Sequence, residues 1–275
     1  LVGKIFMPRV LGCGCSVPSV AGSRICVAPL ARLLTMLLAP LGACAARMAV
    51  IVFVAPVFFG AAAALVAWGL VALSLAVLVL VGILLNRWVL RGERAAFIME
   101  LPLYHLPNAR TIGIQVWQNS REFLKRAGTL ILVMSIVVWA LSVLPDGQLE
   151  TSYLAAAGRA LEPLGALMGL DWRMLVALLT SFVAKENAIA TMGVLFAGGE
   201  AAGTAGLQTA LAGALTPAGA LAFLVVQILF IPCVATVAAM RQETRSWGWT
   251  GLGVGLLLVI SLVGGIVAYQ AANLI

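Results

Sequence analysis

V-L-G-C-G-C-S-V-P-S-V, at residues 10–20, puts two cysteines, two glycines and a proline into a segment otherwise apolar enough to enter a membrane. Gly12, Gly14 and Pro18 disfavour a regular helix, because glycine loses backbone entropy on folding and proline lacks a donor. Carbonyls freed by such a break are tolerated in lipid only beside protein or a water-lined cavity. The residues allow two readings. One is small-residue packing, in which a free cysteine behaves as a small hydrophobe. The other is unwound backbone and sulfur meeting a ligand, a pairing that suits a borderline-soft divalent metal better than magnesium or calcium. At Cys13 and Cys15 the two readings weigh evenly.

The rest of the chain decides the solvent. It is 63% hydrophobic and 10% charged, with a mean hydropathy of +1.11. A soluble domain cannot hide that much apolar surface, so lipid must serve as solvent for much of it. The net charge of +7 is then read through the positive-inside rule. Its basic residues are dispersed around apolar segments, with no basic, aromatic-interleaved face, so nucleic acid is not an expected partner. Five cysteines, an odd number, argue for reduced thiols over a disulfide framework. Leu1 is no initiator methionine, and residues 1–9 leave no room for a signal peptide, so a piece of a longer protein is expected. Gly3-Lys4 lacks the upstream glycine and following Ser/Thr of a phosphate loop.

The expected fold is all-α: a polytopic transmembrane bundle containing broken or re-entrant helices. Residues 27–44 are apolar but interrupted by Pro29, Arg32 and Pro40, whereas 48–68 and 69–89 read as two helices with a turn near Gly60 or Gly69. Residues 90–126 form a basic connector, its Pro102 and Pro107 excluding regular helix and its 109–126 portion readable as an amphipathic interfacial helix. Another span follows at 129–144. The acidic stretch 145–171 reads as external and the connector as cytoplasmic, with Trp172 an interface anchor. Residues 174–196 are interrupted by Lys185-Glu186-Asn187, and residues 218–240 by Pro232-Cys233; a Gly/Ala-rich loop at 198–216 joins them, and 249–269 is a final helix. If 174–197 crossed fully, Arg241 and Arg245 would lie outside, against the charge rule, so a re-entrant hairpin is the favoured reading. The organisation expected is 1–89, 90–126 and 127–275.

Lys185 and Glu186 are charged side chains at mid-membrane depth, which cost about 2.5–3.5 kcal/mol even on lenient insertion scales and mark functional positions by default. As helix neighbours they would point about 100° apart and pair poorly unless the helix breaks between them. Cys44 and Cys233 each follow a proline and precede small residues and then an arginine. The chain therefore holds two modules, 12–18 with Pro40/Cys44 and 184–187 with Pro232/Cys233. Paired interrupted helices in two halves point to a transporter's midplane site. His105 reads as a surface group, Met99-Glu100 as either a solvated loop or a cytoplasmic cation mouth, and Met134, Met168, Met174 and Met192 as packing. No Ser/His/Asp set, H-E-x-x-H or Cys-x-x-Cys is present, so hydrolytic or redox catalysis is not expected.

These residues carry a family resemblance. L-G-C-G-C-S-V-P (11–18), P-x-x-x-C-x-A-R (40–47), M-E-L-P-x-Y-x-L-P (99–107) and F-L-K-R-A-G-T (123–129) resemble the membrane region of bacterial ferrous iron transport protein B. So do D-W-R (171–173), A-K-E-N-A-I-A-T-M-G-V-L (184–195) and P-C-V-A-T-x-A-A-x-R-x-E-T-x-S-W (232–247). The resemblance implies two "Gate" repeats forming a path for Fe²⁺, in a protein of the bacterial cytoplasmic membrane whose amino-terminal GTPase domain is not in this sequence. No enzymatic activity or organic cofactor is expected of the chain itself. The implied path residues are Cys15, Cys44, Glu186 and Cys233, with Cys13 ranked lower, and with Gly12, Gly14, Pro18, Lys185, Asn187 and Pro232 supporting the breaks. Partners implied are the GTPase domain, small cytoplasmic Feo proteins and the lipid bilayer; a homo-oligomer is left open.

Two departures from the family stand out. Residues 23–31 read S-R-I-C-V-A-P-L-A, without the family's acids, so a salt bridge made there in relatives is expected to be missing. Arg47-Met48-Ala49-Val50-Ile51 lacks a proline that relatives carry. Two other classes remain as alternatives: a nucleoside or other small-solute carrier on the same fold, and a non-transporting scaffold whose small residues are packing faces.

Overall fold

The computed structural model describes residues 11–26, 28–88, 108–144, 147, 151–197 and 204–274. Among these residues every regular element is helical. Residues 11–14 are helical, Cys15 is extended, and α1 (Ser16–Gly22) follows at once, leading into a 3₁₀ turn at Ser23–Ile25. Only one residue is therefore unwound where Gly12, Gly14 and Pro18 suggested a longer break. Pro18 falls in the first turn of α1, where a missing N–H has no intrahelical partner to lose.

α2 (Pro29–Leu38) begins on its proline and runs into a 3₁₀ turn at Ala39–Leu41. After an extended stretch at 42–44 the chain re-forms as α3 (Ala45–Phe59). The turn between α3 and α4 (Ala63–Trp88) falls at Gly60, whose φ of +48° is open only to a residue without a side chain; Gly69 lies within α4. The missing proline at 47–51 leaves regular helix there, and α3 carries its proline at Pro56 instead.

The amphipathic segment and the span expected after it are one element, α5 (Ala109–Val143), which runs unbroken through Gly128. A mid-helix glycine costs only about 1 kcal/mol relative to alanine, and nothing crowds this one. The acidic stretch holds two short helices, α6 (Tyr153–Ala160) and α7 (Glu162–Ala166). Two guanidiniums lie near Trp172, Arg159 at 5.0 Å and Arg173 at 5.6 Å from its ring centre.

α8 (Trp172–Ser181), capped by Asp171, and α9 (Asn187–Ala197) turn back on each other across residues 182–186. The Thr180 and Thr191 hydroxyls lie 2.8 Å apart, and the Arg173 guanidinium sits 5.6 Å from the Phe196 ring. In a straight helix residues 180 and 191 would be about 16 Å apart. The segment is a hairpin.

The 198–216 region is not a loop over its described part: α10 (Thr204–Ala214) forms there, because Leu207, Leu211 and Leu215 recur every fourth residue and are buried. α11 (Pro217–Leu229) is buried on nearly every side and is the axis of the core; α3, α4 and α13 (Trp247–Leu274) pack around it. After a break at 230–233, α12 (Val234–Thr244) packs against α1. α13 closes on α11 through glycine: a β-carbon at Gly265 would overlap Val226 Cγ2 and Met168 Sδ. Pro217–Thr244 and Trp247–Leu274 are long and apolar enough to cross a membrane, as is the helical run Pro29–Arg87. The chain is an all-α membrane protein.

Candidate functional site

Four interruptions meet between the two halves, and each ends in one of the residues singled out above. Cys15 is the N-cap of α1, Cys44 of α3 and Cys233 of α12, all three with extended backbone (ψ 137°, 159° and 157°). Glu186 immediately precedes α9. Cys44 and Cys233 do not spend their sulfurs on capping their own helices, which leaves each Sγ to other neighbours. Sulfur is a weak acceptor for a backbone N–H. Cys233 Sγ is instead 3.3 Å from Thr236 Oγ1.

Cys15 is in electrostatic range of Cys233, Cys44 and Glu186 together, so the four residues form one neighbourhood drawn from both halves. The cysteines are half-buried and Glu186 is exposed. Among the described residues no three such side chains converge closely enough to hold a metal ion in this conformation. Cys13, on the helical turn before Cys15, is exposed, and the fifth cysteine, Cys26, is buried with its sulfur 3.8 Å from Thr35 Oγ1. Met99, Glu100 and His105 lie outside the described residues.

The hairpin turn separates Lys185 from Glu186. Lys185 is 2% exposed and donates to the Ile231 carbonyl at 2.7 Å, while its neighbour faces outward. The two do not form a mutually neutralised pair. The break at 182–186 is also stitched to the break at 230–233 by the Val234 N–H, which donates to the Phe182 carbonyl at 2.8 Å. Asn187 opens α9, and Pro232 lies within the break at 230–233.

Arg47 is the residue that motif reading passed over. It is 1% exposed. Its Nη1 donates to the Pro40 carbonyl at 2.6 Å and the Gly42 carbonyl at 3.3 Å, and its Nη2 donates to the Phe230 carbonyl. It thus satisfies carbonyls that unwinding frees in its own half and in the other. The Ser74 hydroxyl does the same for the Leu41 carbonyl at 3.0 Å. The sequence signal was the recurrence of arginine after each Pro/Cys module.

Residues 23–31 supply no acid, as their sequence requires, and a salt bridge forms there with an acid from elsewhere. Glu243, at the end of α12, pairs with Arg24 and Arg32 at 2.5 and 2.7 Å. The far end of α12 is thereby tied to the first half, as its near end is through α1.

The order of motifs agrees with comparison to known proteins. "Ferrous iron transport protein B C terminus" matches residues 67–119, and "Gate: Nucleoside recognition" matches residues 124–247. The Fe(2+) transporter FeoB of Staphylococcus aureus (strain COL) is 36% identical over 100% of this chain. The chain belongs to the ferrous iron transport protein B family. The FeoB of Methanocaldococcus jannaschii is 31% identical, again over 100% of the chain. A protein of Porphyromonas gingivalis named as a fusion of Fe(2+) transport protein A with FeoB is 32% identical over 90%. The chain spans 41%, 42% and 35% of these relatives' own lengths. No solved structure matches it.

Proposed function

We propose that this chain forms the membrane-embedded path of a ferrous iron uptake system in the bacterial cytoplasmic membrane. The observation that carries the reading is that Cys15, Cys44, Cys233 and Glu186 share one neighbourhood, each at the start of a helix that resumes after a break. Fe²⁺, as the transported ion, would exchange hydration water for sulfur and for the Glu186 carboxylate, a mixed donor set suited to a borderline metal. Cys13 stands beside this set as a secondary contact.

The relatives are named Fe(2+) transporters, which supports Fe²⁺ as cargo. An amino-terminal GTPase domain would gate the path through the 90–126 connector. The fusion found in Porphyromonas gingivalis supports a small Feo protein as partner. The hairpin would enter and leave the membrane on the external side, placing Arg241 and Arg245 on the cytoplasmic side in accord with the charge rule. Labelling of Thr204→Cys by an impermeant thiol reagent tests this sidedness; reaction from the cytoplasmic face alone would overturn it.

The central test is anaerobic Fe²⁺ uptake into proteoliposomes by the parent, Cys15→Ser and Glu186→Gln. Loss of uptake in both variants, at unchanged melting temperature, is the expected result. Unchanged flux in both removes the site assignment. Uptake of a radiolabelled nucleoside in place of Fe²⁺ would favour the carrier reading.

A further inference from the structure

Arg47 and Lys185 pose a problem that the thiols and Glu186 do not answer. Both are cations buried at the breaks, 1% and 2% exposed, in what is read above as a path for a cation. Burying a charge is costly unless it is closely partnered. Their hydrogen-bond partners are main-chain oxygens, not carboxylates: Pro40, Gly42 and Phe230 for Arg47, and Ile231 for Lys185. The Lys185 ammonium also lies 4.8 Å from the centre of the Phe230 ring.

These oxygens are a distinctive set. Pro40 and Gly42 follow the carboxyl end of α2, and Phe230 and Ile231 follow that of α11, where unpaired carbonyls concentrate partial negative charge. Unwound carbonyls at the ends of half-helices are what a transporter offers a cation at mid-membrane. Hard ions such as Ca²⁺ and Mg²⁺ bind oxygen almost exclusively, whereas a borderline transition ion also accepts sulfur.

We infer that Arg47 and Lys185 are resident counter-cations that occupy the carbonyl oxygens of Pro40, Gly42, Phe230 and Ile231 and so keep oxygen-seeking divalent ions out of the breaks. An ion that sulfur can hold still finds Cys15, Cys44 and Cys233; a hard ion finds its oxygens already taken by resident nitrogen donors. Selectivity then comes from denying oxygen as well as from offering sulfur. This inference rests on the transport reading for its physiological meaning, but the occupancy of the carbonyls is tested without transport.

The experiment measures Ca²⁺ and Mg²⁺ binding to the full chain purified in detergent, by calorimetry and by the cation-induced shift in melting temperature. The variants are Arg47→Gln, Lys185→Met and the charge-retaining Arg47→Lys. The parent and Arg47→Lys are expected to bind Ca²⁺ weakly, and the two neutral variants roughly tenfold more tightly or better, a change of about 1.4 kcal/mol. A purely structural role would lower the melting temperature without creating Ca²⁺ affinity and would show no rescue by Arg47→Lys. Lys185→Met removes a single hydrogen bond and decides the matter should Arg47→Gln fail to fold. Ca²⁺ affinity in folded Lys185→Met equal to the parent's overturns the inference. Absence of Fe²⁺ uptake by the parent would defeat the transport reading instead and leave this comparison intact.

Discussion

The Arg47 guanidinium donates to the main-chain oxygen of Phe230, joining residues 183 positions apart in sequence. The break that ends in Cys44 is thereby held beside the break that ends in Cys233. The two interruptions belong to different halves, and this one side chain satisfies carbonyls of both. Removing it therefore has consequences for stability that no exposed arginine would share.

Arg47→Ala is expected to destabilise the protein by about 3 kcal/mol, because the buried Pro40 and Phe230 carbonyls and the part-buried Gly42 carbonyl lose their donor and each unsatisfied buried group costs about 1–3 kcal/mol. Melting in detergent measures this against Arg245→Gly. Arg245 is exposed and held at φ +51°, where glycine is favoured, so that change is expected to be neutral or to stabilise by about 1 kcal/mol. Equal losses in the two would contradict the bridging role.

Glu243 pairs with two arginines from the first half and its side chain is only 6% exposed. Glu243→Gln is expected to cost on the order of 1–3 kcal/mol, since charge-assisted hydrogen bonds exceed neutral ones. In a double-mutant cycle, Arg32→Gln should couple to it more strongly than Arg24→Gln, because Arg24 is 69% exposed and solvent weakens its pairing. Additive effects in both cycles would show that the three charges act independently.

The hairpin predicts a cross-link. In a protein lacking its other cysteines, Thr180→Cys with Thr191→Cys should form a disulfide under mild oxidation, since the native hydroxyls are 2.8 Å apart. A fully crossing helix would hold the pair too far apart to bridge, so a non-reducing gel showing no cross-link argues for that alternative.

Two glycines of α13 separate packing from helix propensity. Gly265→Ala is expected to destabilise by about 1–3 kcal/mol through overlap with Val226 and Met168. Gly255→Ala meets nothing within 4 Å and should stabilise by about 0.5–1 kcal/mol. The order of their melting temperatures, with the parent between them, is the check.

Gln227 is fully buried in α11, and both atoms of its amide lack a partner. Gln227→Leu removes that desolvation cost and is expected to raise the melting temperature, by about 1–3 kcal/mol in stability. A lower melting temperature would mean that the amide has a partner under working conditions.

Much of this architecture was legible because the informative residues are ones whose backbone chemistry is restrictive. Pro29, Pro40 and Pro232 mark the interruptions of the membrane segments, and Gly60 marks the α3–α4 turn. Charge balance favoured the hairpin before any geometry was known. The failures have physical causes as well. Gly12 and Pro18 were given more breaking power than they have, because a helix absorbs one glycine cheaply and tolerates proline in its first turn. α10 was hidden by its glycines and alanines, although the fourth-residue spacing of its leucines was there to be counted. Arg24, Arg32 and Glu243 come together from more than 200 positions apart, a pairing that no local pattern carries. Arg47 was missed because arginine at the end of an apolar segment ordinarily reads as an anchor in water.

The placement of the cysteines at helix starts has a mechanical consequence. α12 is a rigid rod of about 16 Å that begins at Cys233 and carries Glu243 near its other end. If the rod tilts by about 10°, elementary lever geometry moves its tip roughly 3 Å, enough to part Glu243 from its arginines. Cys233, at the fulcrum, scarcely moves. On the path proposed above, the Cys233 sulfur would stay in place while the helix it begins swings away from the first half.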